Sequence, residues 1–515
     1  MKQIYRVGFA LRALNESGVL PAEAFLAPLE VRCFVVETDS GLACWVVYDL
    51  TAMSIGHSTA IRTAVASALG CGRDAVVVHC THTHSVPDHF FAFPVEVLAG
   101  QAVAAAREAQ ARLQPFRLVE ATADVGNRFS VLRRKFLPGI GTFTVWYGYR
   151  LENGRPDGAP LIREQAERMF GQRYTQIPEF ADPIWFDDQI DPLAQGLVFV
   201  GSDGKAIGSL IRFSAHPHTT SHVQELRYHP DFPGFARSAV EREFGGMCIY
   251  LTGPCGDIVP KEEMQFRMPP AAERPAGTER NFGPSYWHKE AVPGETLRVA
   301  QNIGENLASI ILARLKGTPG RKSKGAQAST ESRSWATAPR HPSVVRMRTV
   351  NLTVPIRENY AASSAAAKSA QDAETERLRE LQQGEGTNRA TPWEIRSLAD
   401  RVQQLGHEAL DIRTLPAGAL QSRQVTLEMG LLQLGDIILA GLPSEPLVGT
   451  SHRLRANTLG ERLWTVTLVN GWIGYMPGSF DCVAGGYESA RTPLPPNGLV
   501  QYDTQACNAI REMMG

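Results

Sequence analysis

Eight of the 13 histidines fall in two short windows, four between His79 and His89 and four between His216 and His229. Paired imidazoles are what a metal site needs, because a neutral imidazole nitrogen is a common zinc ligand. In the first window an apolar run, Val76-Val77-Val78, leads into His79-Cys80-Thr81-His82-Thr83-His84. Side chains two apart on a strand share a face, so His82 and His84 are expected to meet one site at a strand end. The second window repeats the form in Ile211-Arg212-Phe213-Ser214-Ala215-His216-Pro217-His218. Polar caps at a strand-to-loop junction are the bland alternative for each, and two independent His-x-His elements favour the metal. His218 and His222 read equally well as supporting groups or as surface histidines.

Zinc takes three or four protein ligands, commonly with a carboxylate among them. Two strand-end acids are available. Asp257, in Gly253-Pro254-Cys255-Gly256-Asp257, either orients a ligand histidine, accepts a proton, or caps its own turn. Glu445, in Leu442-Pro443-Ser444-Glu445-Pro446, is the candidate oxygen ligand, with a helix-start acid as its alternative. Tyr475, in the glycine-rich Asn470-Gly471-Trp472-Ile473-Gly474-Tyr475, reads on pattern alone as a packing residue.

These residues must be carried by strands. Val31 to Glu37 and Leu42 to Tyr48, joined at Asp39-Ser40-Gly41, predict a hairpin, and Leu197 to Val200 with Ala206 to Phe213 predict a second. Helical spacing covers Ser54 to Leu69, Val95 to Leu113 after Pro94, and Pro233 to Phe244. Strands are expected at Met247 to Leu251, Gln424 to Leu434, Asp436 to Leu442 and Leu463 to Val469. Residues 316–334 read as an exposed loop, and 361–415 as a helical insertion broken at Gly384-Glu385-Gly386 and Pro392. No internal repeat is visible. The expectation is a mixed α/β (α+β) fold: one large catalytic domain over 1–515, with mixed sheets flanked by helices.

Composition sets the outer bounds. Of the 515 residues 43% are hydrophobic and 20% charged, which excludes global disorder and a fibrous chain. The net charge of -1 gives no electrostatic case for wrapping nucleic acid. No run reaches the roughly 18 apolar residues of a membrane helix. The N-terminus lacks a secretory pattern, and the eight scattered cysteines have no CxxC pair. A cytoplasmic protein with reduced thiols is therefore expected.

Taken together, Thr81-His82-Thr83-His84-Ser85, His216-Pro217, Gly256-Asp257-Ile258-Val259-Pro260, Pro443-Ser444-Glu445 and the Tyr475 loop resemble, in order, the neutral/alkaline ceramidase family. Tyr5-Arg6-Val7-Gly8 and Asp231-Phe232-Pro233-Gly234 add to the resemblance, which spans roughly residues 5 to 490. It implies one zinc ion bound by His82, His216, Glu445 and Tyr475, with His84 beside it facing the substrate or its oxyanion. It also implies catalytic roles for Arg128, in Gly126-Asn127-Arg128, and for Asp257, with Asp49 supporting the site.

Three departures stand out. Val259 occupies the family's serine position, Val86-Pro87-Asp88-His89 replaces its Gly-Pro-Gly-Gly, and the family's C-terminal β-sandwich domain is expected to be absent. The expected activity is zinc-dependent hydrolysis of an N-acyl amide by metal-activated water. The substrate would be sphingolipid-like or more soluble, and an oligomer is possible in either case. The rival expectations are an esterase or lactonase on the same site, or an inactive ceramidase-like binding protein.

Overall fold

The computed structural model describes residues 3–88, 90–137, 141–144, 150–152, 155–157, 190–221, 227–262, 294–316, 335–383 and 390–514. Three mixed sheets form the body, and each is built by the same rule. An antiparallel hairpin is followed by a helical crossover into a parallel strand.

In the first sheet, Glu30–Thr38 pairs with Gly41–Tyr48, and the helix Ile55–Leu69 then carries the chain to Val76–Cys80, parallel to Gly41–Tyr48. In the second, Leu193–Val200 pairs with Ala206–Phe213, and the helix Asp231–Phe244 leads to the parallel Met247–Thr252. In the third, Gln424–Leu434 pairs with Ile437–Gly441, and the helix Val448–Ala456 leads to the parallel Leu463–Val466. Arg6–Ala13, Arg117–Asp124 and Val345–Pro355 extend the three sheets. The α/β expectation, both predicted hairpins and the three helices hold.

The inner faces of all three sheets share one core. Val7, Phe9, Trp45 and Val47 meet Leu197, Phe199, Leu210 and Leu251 from the second sheet and Leu439, Trp464 and Val466 from the third. The outer faces are covered by helices: Ile55–Leu69 and Val95–Ala111 on the first, Asp231–Phe244 and Glu295–Leu315 on the second, and Pro496–Met514 on the third. Strands covered on both faces read as unbroken apolar runs, which is why Val76-Val77-Val78 and Ile437-Ile438-Leu439 show no alternation.

Polar pins cross the shared core. His79 donates from Nδ1 to Thr467 O at 2.8 Å and accepts Thr252 N–H on Nε2 at 3.2 Å, so one ring joins all three sheets. Asp191 is fully buried and takes Arg212 of the second sheet at 2.5 Å and Arg455 of the third sheet's crossover helix at 2.6 Å. Residues 317–334 of the expected loop lie outside the described residues. In the 361–415 stretch, Ser364–Gln383 and Pro392–Asp411 are helices, the second started by a Thr391/Glu394 capping box. All eight cysteines are free thiols. Among the described residues no helix is long and apolar enough to cross a membrane.

Candidate metal centre

The parallel pairs end at Tyr48 and Cys80, Phe213 and Thr252, and Gly441 and Val466. Each pair runs out at its C-terminal end into segments carrying singled-out residues: Asp49 and His82, His216 and Asp257, Glu445 and Tyr475. Crevices at the C-terminal ends of parallel strands are where α/β folds place ligands, because chain reversals there leave backbone and side chains free to converge.

The first His-x-His does not use strand alternation. The strand stops at Cys80, and His82 adopts the left-handed conformation (φ 71°). That costs energy for a residue with a Cβ, and such outliers concentrate at functional sites. The reversal is held by Thr81 N–H to Tyr48 O at 2.8 Å and His82 N–H to Leu50 O at 2.9 Å. Asp49 accepts the Thr81 hydroxyl at 3.2 Å and is itself gripped by Arg237 through two 2.7 Å bonds. His84 N–H donates to Pro217 O at 3.0 Å, stitching the two histidine segments together.

The imidazole orientations follow from their carbonyl partners. A carbonyl only accepts, so His82 Nδ1, 2.6 Å from Thr51 O, carries its proton. The same holds for His216 Nδ1, 3.1 Å from Ile258 O. Both Nε2 atoms therefore present lone pairs. They point at one carboxylate oxygen: Glu445 Oε1 lies 3.3 Å from His82 Nε2 and 2.9 Å from His216 Nε2. His84 Nε2 is 3.3 Å from His82 Nε2, and ligand atoms of His82, His84 and His216 lie within 4.8 Å of one another. His216 Nε2 and Glu445 Oε1 are buried, and neither makes a hydrogen bond of sound geometry.

Burial pushes the His216 imidazole down to about 3, so it is a neutral ring near neutral pH. His216 Nε2 and Glu445 Oε1 thus face each other as two buried acceptors with no donor between them, an unfavourable arrangement that a cation would relieve. The donor set of imidazole nitrogens and one carboxylate oxygen fits a divalent transition metal. His79 is the internal contrast, since both its nitrogens have backbone partners and it is a satisfied core histidine.

The outer oxygen of Glu445 accepts Trp472 Nε1–H at 3.1 Å. Glu445 and Tyr475 sit opposite each other in a two-residue parallel bridge. The loop before Asp257 packs flush on that bridge. A Cβ on Gly256 would fall 2.7 Å from Leu447 Cδ2 and 3.1 Å from Tyr475 Cδ1, so the close approach requires glycine.

The guanidinium that reaches the tyrosine is Arg133, which sequence reasoning missed. It is fully buried and donates to Tyr475 Oη at 3.2 Å, Gly256 O at 2.7 Å and Glu488 Oε1 at 2.7 Å. Its cue was faint: an Arg-Arg pair in a short buried strand region. Arg128 is exposed, with its guanidinium 5.2 Å over the Phe129 ring. His218 is buried, its ring 5.1 Å from that of His216 and 5.5 Å from that of His84. His222 and His89 lie outside the described residues.

Asp257 is buried, and its carboxylate accepts Val448 N–H at 2.9 Å. No described hydrogen bond or ion pair joins that carboxyl to the imidazoles. Burial pushes it up to about 7 despite the Arg134 charge. A carboxyl raised in the folded state binds a proton there that the unfolded chain has already released. Stability therefore falls as pH rises from about 4 to about 7. Asp257→Asn is expected to remove that slope, seen as a flatter plot of unfolding free energy against pH than wild type. Parallel plots would show that this carboxyl titrates normally. Val259 is fully buried in a strand paired with Ser130–Leu132, so no hydroxyl stands at that position.

No family model matches the sequence, and no curated protein matches it. Solved structures do match it, two of them along 99–100% of its length. The neutral ceramidase from Pseudomonas aeruginosa superposes with a TM-score of 0.58 at 17% identity, covering 100% of this chain and 75% of that one. A ceramidase complexed with C2 gives a TM-score of 0.57 at 17% identity, covering 99% and 76%. The chain thus has the fold of these ceramidases, and the resemblance carried by the short motifs extends to the architecture. At this identity the likeness is one of fold.

Proposed function

We propose that this chain is a zinc-dependent hydrolase of N-acyl amides, with a sphingolipid-like or related acyl substrate. The observation that carries the reading is the convergence of His82 Nε2 and His216 Nε2 on Glu445 Oε1, with His216 Nε2 and Oε1 buried and lacking a donor. The shared fold with two ceramidases supports the amide as the bond cleaved. In this reading His82, His216 and Glu445 hold the metal, with Tyr475 completing the set. When bound, zinc would acidify a water ligand towards roughly pH 7 and polarise a carbonyl.

The chain's own residues do the rest. Thr51 O and Ile258 O fix both ligand tautomers. Trp472 holds the outer Glu445 oxygen, so the inner one faces the histidines. His84 is the part-exposed member of the histidine group and is placed to hand a proton to the leaving amine. Arg133 keeps the Tyr475 hydroxyl oriented, while Arg128, at the exposed side, meets the incoming carbonyl. With Val259 at the loop position, water is the nucleophile and no acyl-enzyme forms there.

Elemental analysis of purified wild type and His82→Ala tests this, together with turnover of an N-acyl amide and its matched ester. About one zinc per wild-type chain, lost in the variant along with amide hydrolysis, is expected. Ester turnover alone would move the assignment to an esterase. No metal in either protein after zinc is supplied would overturn it.

A further inference from the structure

The geometry points to Asp411 and Arg491 as a positioning pair that sets the metal centre from the helical 361–415 stretch. This rests on the proposed metal site. Asp411 is the last residue of the helix Pro392–Asp411, and its side chain is buried. Arg491 follows the short helix Tyr487–Ala490. The two meet in a forked pair, Nε to Oδ2 at 2.7 Å and Nη2 to Oδ1 at 2.9 Å. Such two-point contacts fix the guanidinium plane as well as its distance.

That plane does two things at the site, and the Arg491 backbone adds a third contact. It lies 4.9 Å over the Trp472 indole, the ring whose Nε1–H holds Glu445. It donates to the Tyr487 hydroxyl at 2.8 Å, and the Tyr487 ring packs edge-on against Tyr475 at 5.5 Å. The Arg491 carbonyl accepts Tyr475 N–H at 3.3 Å. A side chain on the helix thereby governs the supports of both Glu445 and Tyr475 without reaching either.

A second contact runs from the same helix end. Arg413 lies 4.7 Å over the Phe91 ring and 3.7 Å from Asp88, on the segment that follows His84. Phe90 of that segment packs against Trp472 at 4.5 Å. The helix end thus connects to Trp472 by two routes, through Arg491 directly and through the segment that carries Phe90. Two-point geometry at Asp411 holds the guanidinium plane against the indole whose Nε1–H fixes the outer Glu445 oxygen.

Chelator competition, steady-state kinetics and fluorine NMR on protein labelled with 5-fluorotryptophan test the pair, with the Trp472 resonance assigned by Trp472→Phe. Asp411→Asn is expected to weaken zinc binding about tenfold, to lower kcat with KM little changed, and to shift the Trp472 resonance. Asp411→Glu should recover part of each. If Asp411→Asn unfolds, Arg491→Lys, which keeps the charge but loses the fork, carries the same expectations. In the double variant with Trp472→Phe the losses should not add.

A folded Asp411→Asn protein with wild-type zinc affinity and an unmoved Trp472 resonance would overturn the inference while leaving the metal centre intact. Fully additive losses in the double variant would also overturn it. Wild-type protein that binds no zinc would instead sink the proposed function. The resonance, read on metal-free protein, would still decide whether Asp411 positions Trp472.

Discussion

Glu445→Gln is expected to abolish metal binding and yet leave the metal-free protein as stable as wild type or more so. In the metal-free state Glu445 Oε1 faces two imidazole lone pairs at 2.9 and 3.3 Å. Acceptors facing acceptors in a buried space are unfavourable, and a glutamine amide would supply the missing donor while leaving the other oxygen to Trp472. The same amide is neutral and a poor ligand. Changes one step removed from a metal cost about 10–100-fold in affinity, so loss of a ligand should cost at least about 100-fold, and hydrolysis with it. Chelator competition and thermal melts of metal-free proteins read the two effects separately. Retained zinc and turnover in Glu445→Gln, or a collapse of the metal-free melt, would contradict the account. Residues serving a site commonly lie off the stability optimum in this way.

The largest loss of stability is expected from Asp191→Ala. Its carboxylate is the common partner of Arg212 and Arg455, and it accepts the Ser214 hydroxyl at 3.0 Å. Both arginines are buried, and the paired carboxylate is held far below its ordinary range. Truncation would leave two guanidinium groups in the interior without a counter-charge. Breaking a buried ion pair by removing one partner costs about 3–5 kcal/mol. Urea unfolding should show that loss as a lower midpoint at unchanged slope. A change below about 1 kcal/mol would mean water reaches the cluster and screens it. The effect should be structural first, since none of the three charges touches the histidine cluster.

Sequence and structure agree where local pattern decides. Hairpins at Asp39-Ser40-Gly41 and Gly201–Gly204, with φ 130° at Gly41 and 81° at Gly204, follow from turn chemistry. His82, His216 and Glu445 could be singled out because each follows an apolar strand, and strand ends are where this architecture gathers chemistry. What could not be read was how they converge. Strand alternation was the expected device for His82 and His84, whereas the chain uses a left-handed residue, which no composition rule assigns to histidine. The ring protonation is set by Thr51 O and Ile258 O, and a carbonyl leaves no trace in side-chain identity. Arg133 was missed because its partners Gly256, Tyr475 and Glu488 are distant in the chain. Its neighbour Arg128 sat in the more recognisable motif. The equivalence of the three sheets was invisible for a related reason: each repeats a topology and not a sequence.

His79 pins three sheets through contacts that span up to 388 positions, and the site lies just beyond that pin. Closing such separations is slow, because loop entropy is lost before any long-range contact repays it. The first two sheets can form while the chain is still being synthesised. Glu445, Trp472 and Tyr475 cannot take their places until the segments of the third sheet have emerged. Assembly of the centre therefore waits on the third sheet, and a nascent chain or a product truncated before residue 445 would hold the histidines without their carboxylate. Such an intermediate has an open, imidazole-lined cleft between two finished sheets. Ion capture would then be the closing event of maturation, with the third sheet arriving as the latch.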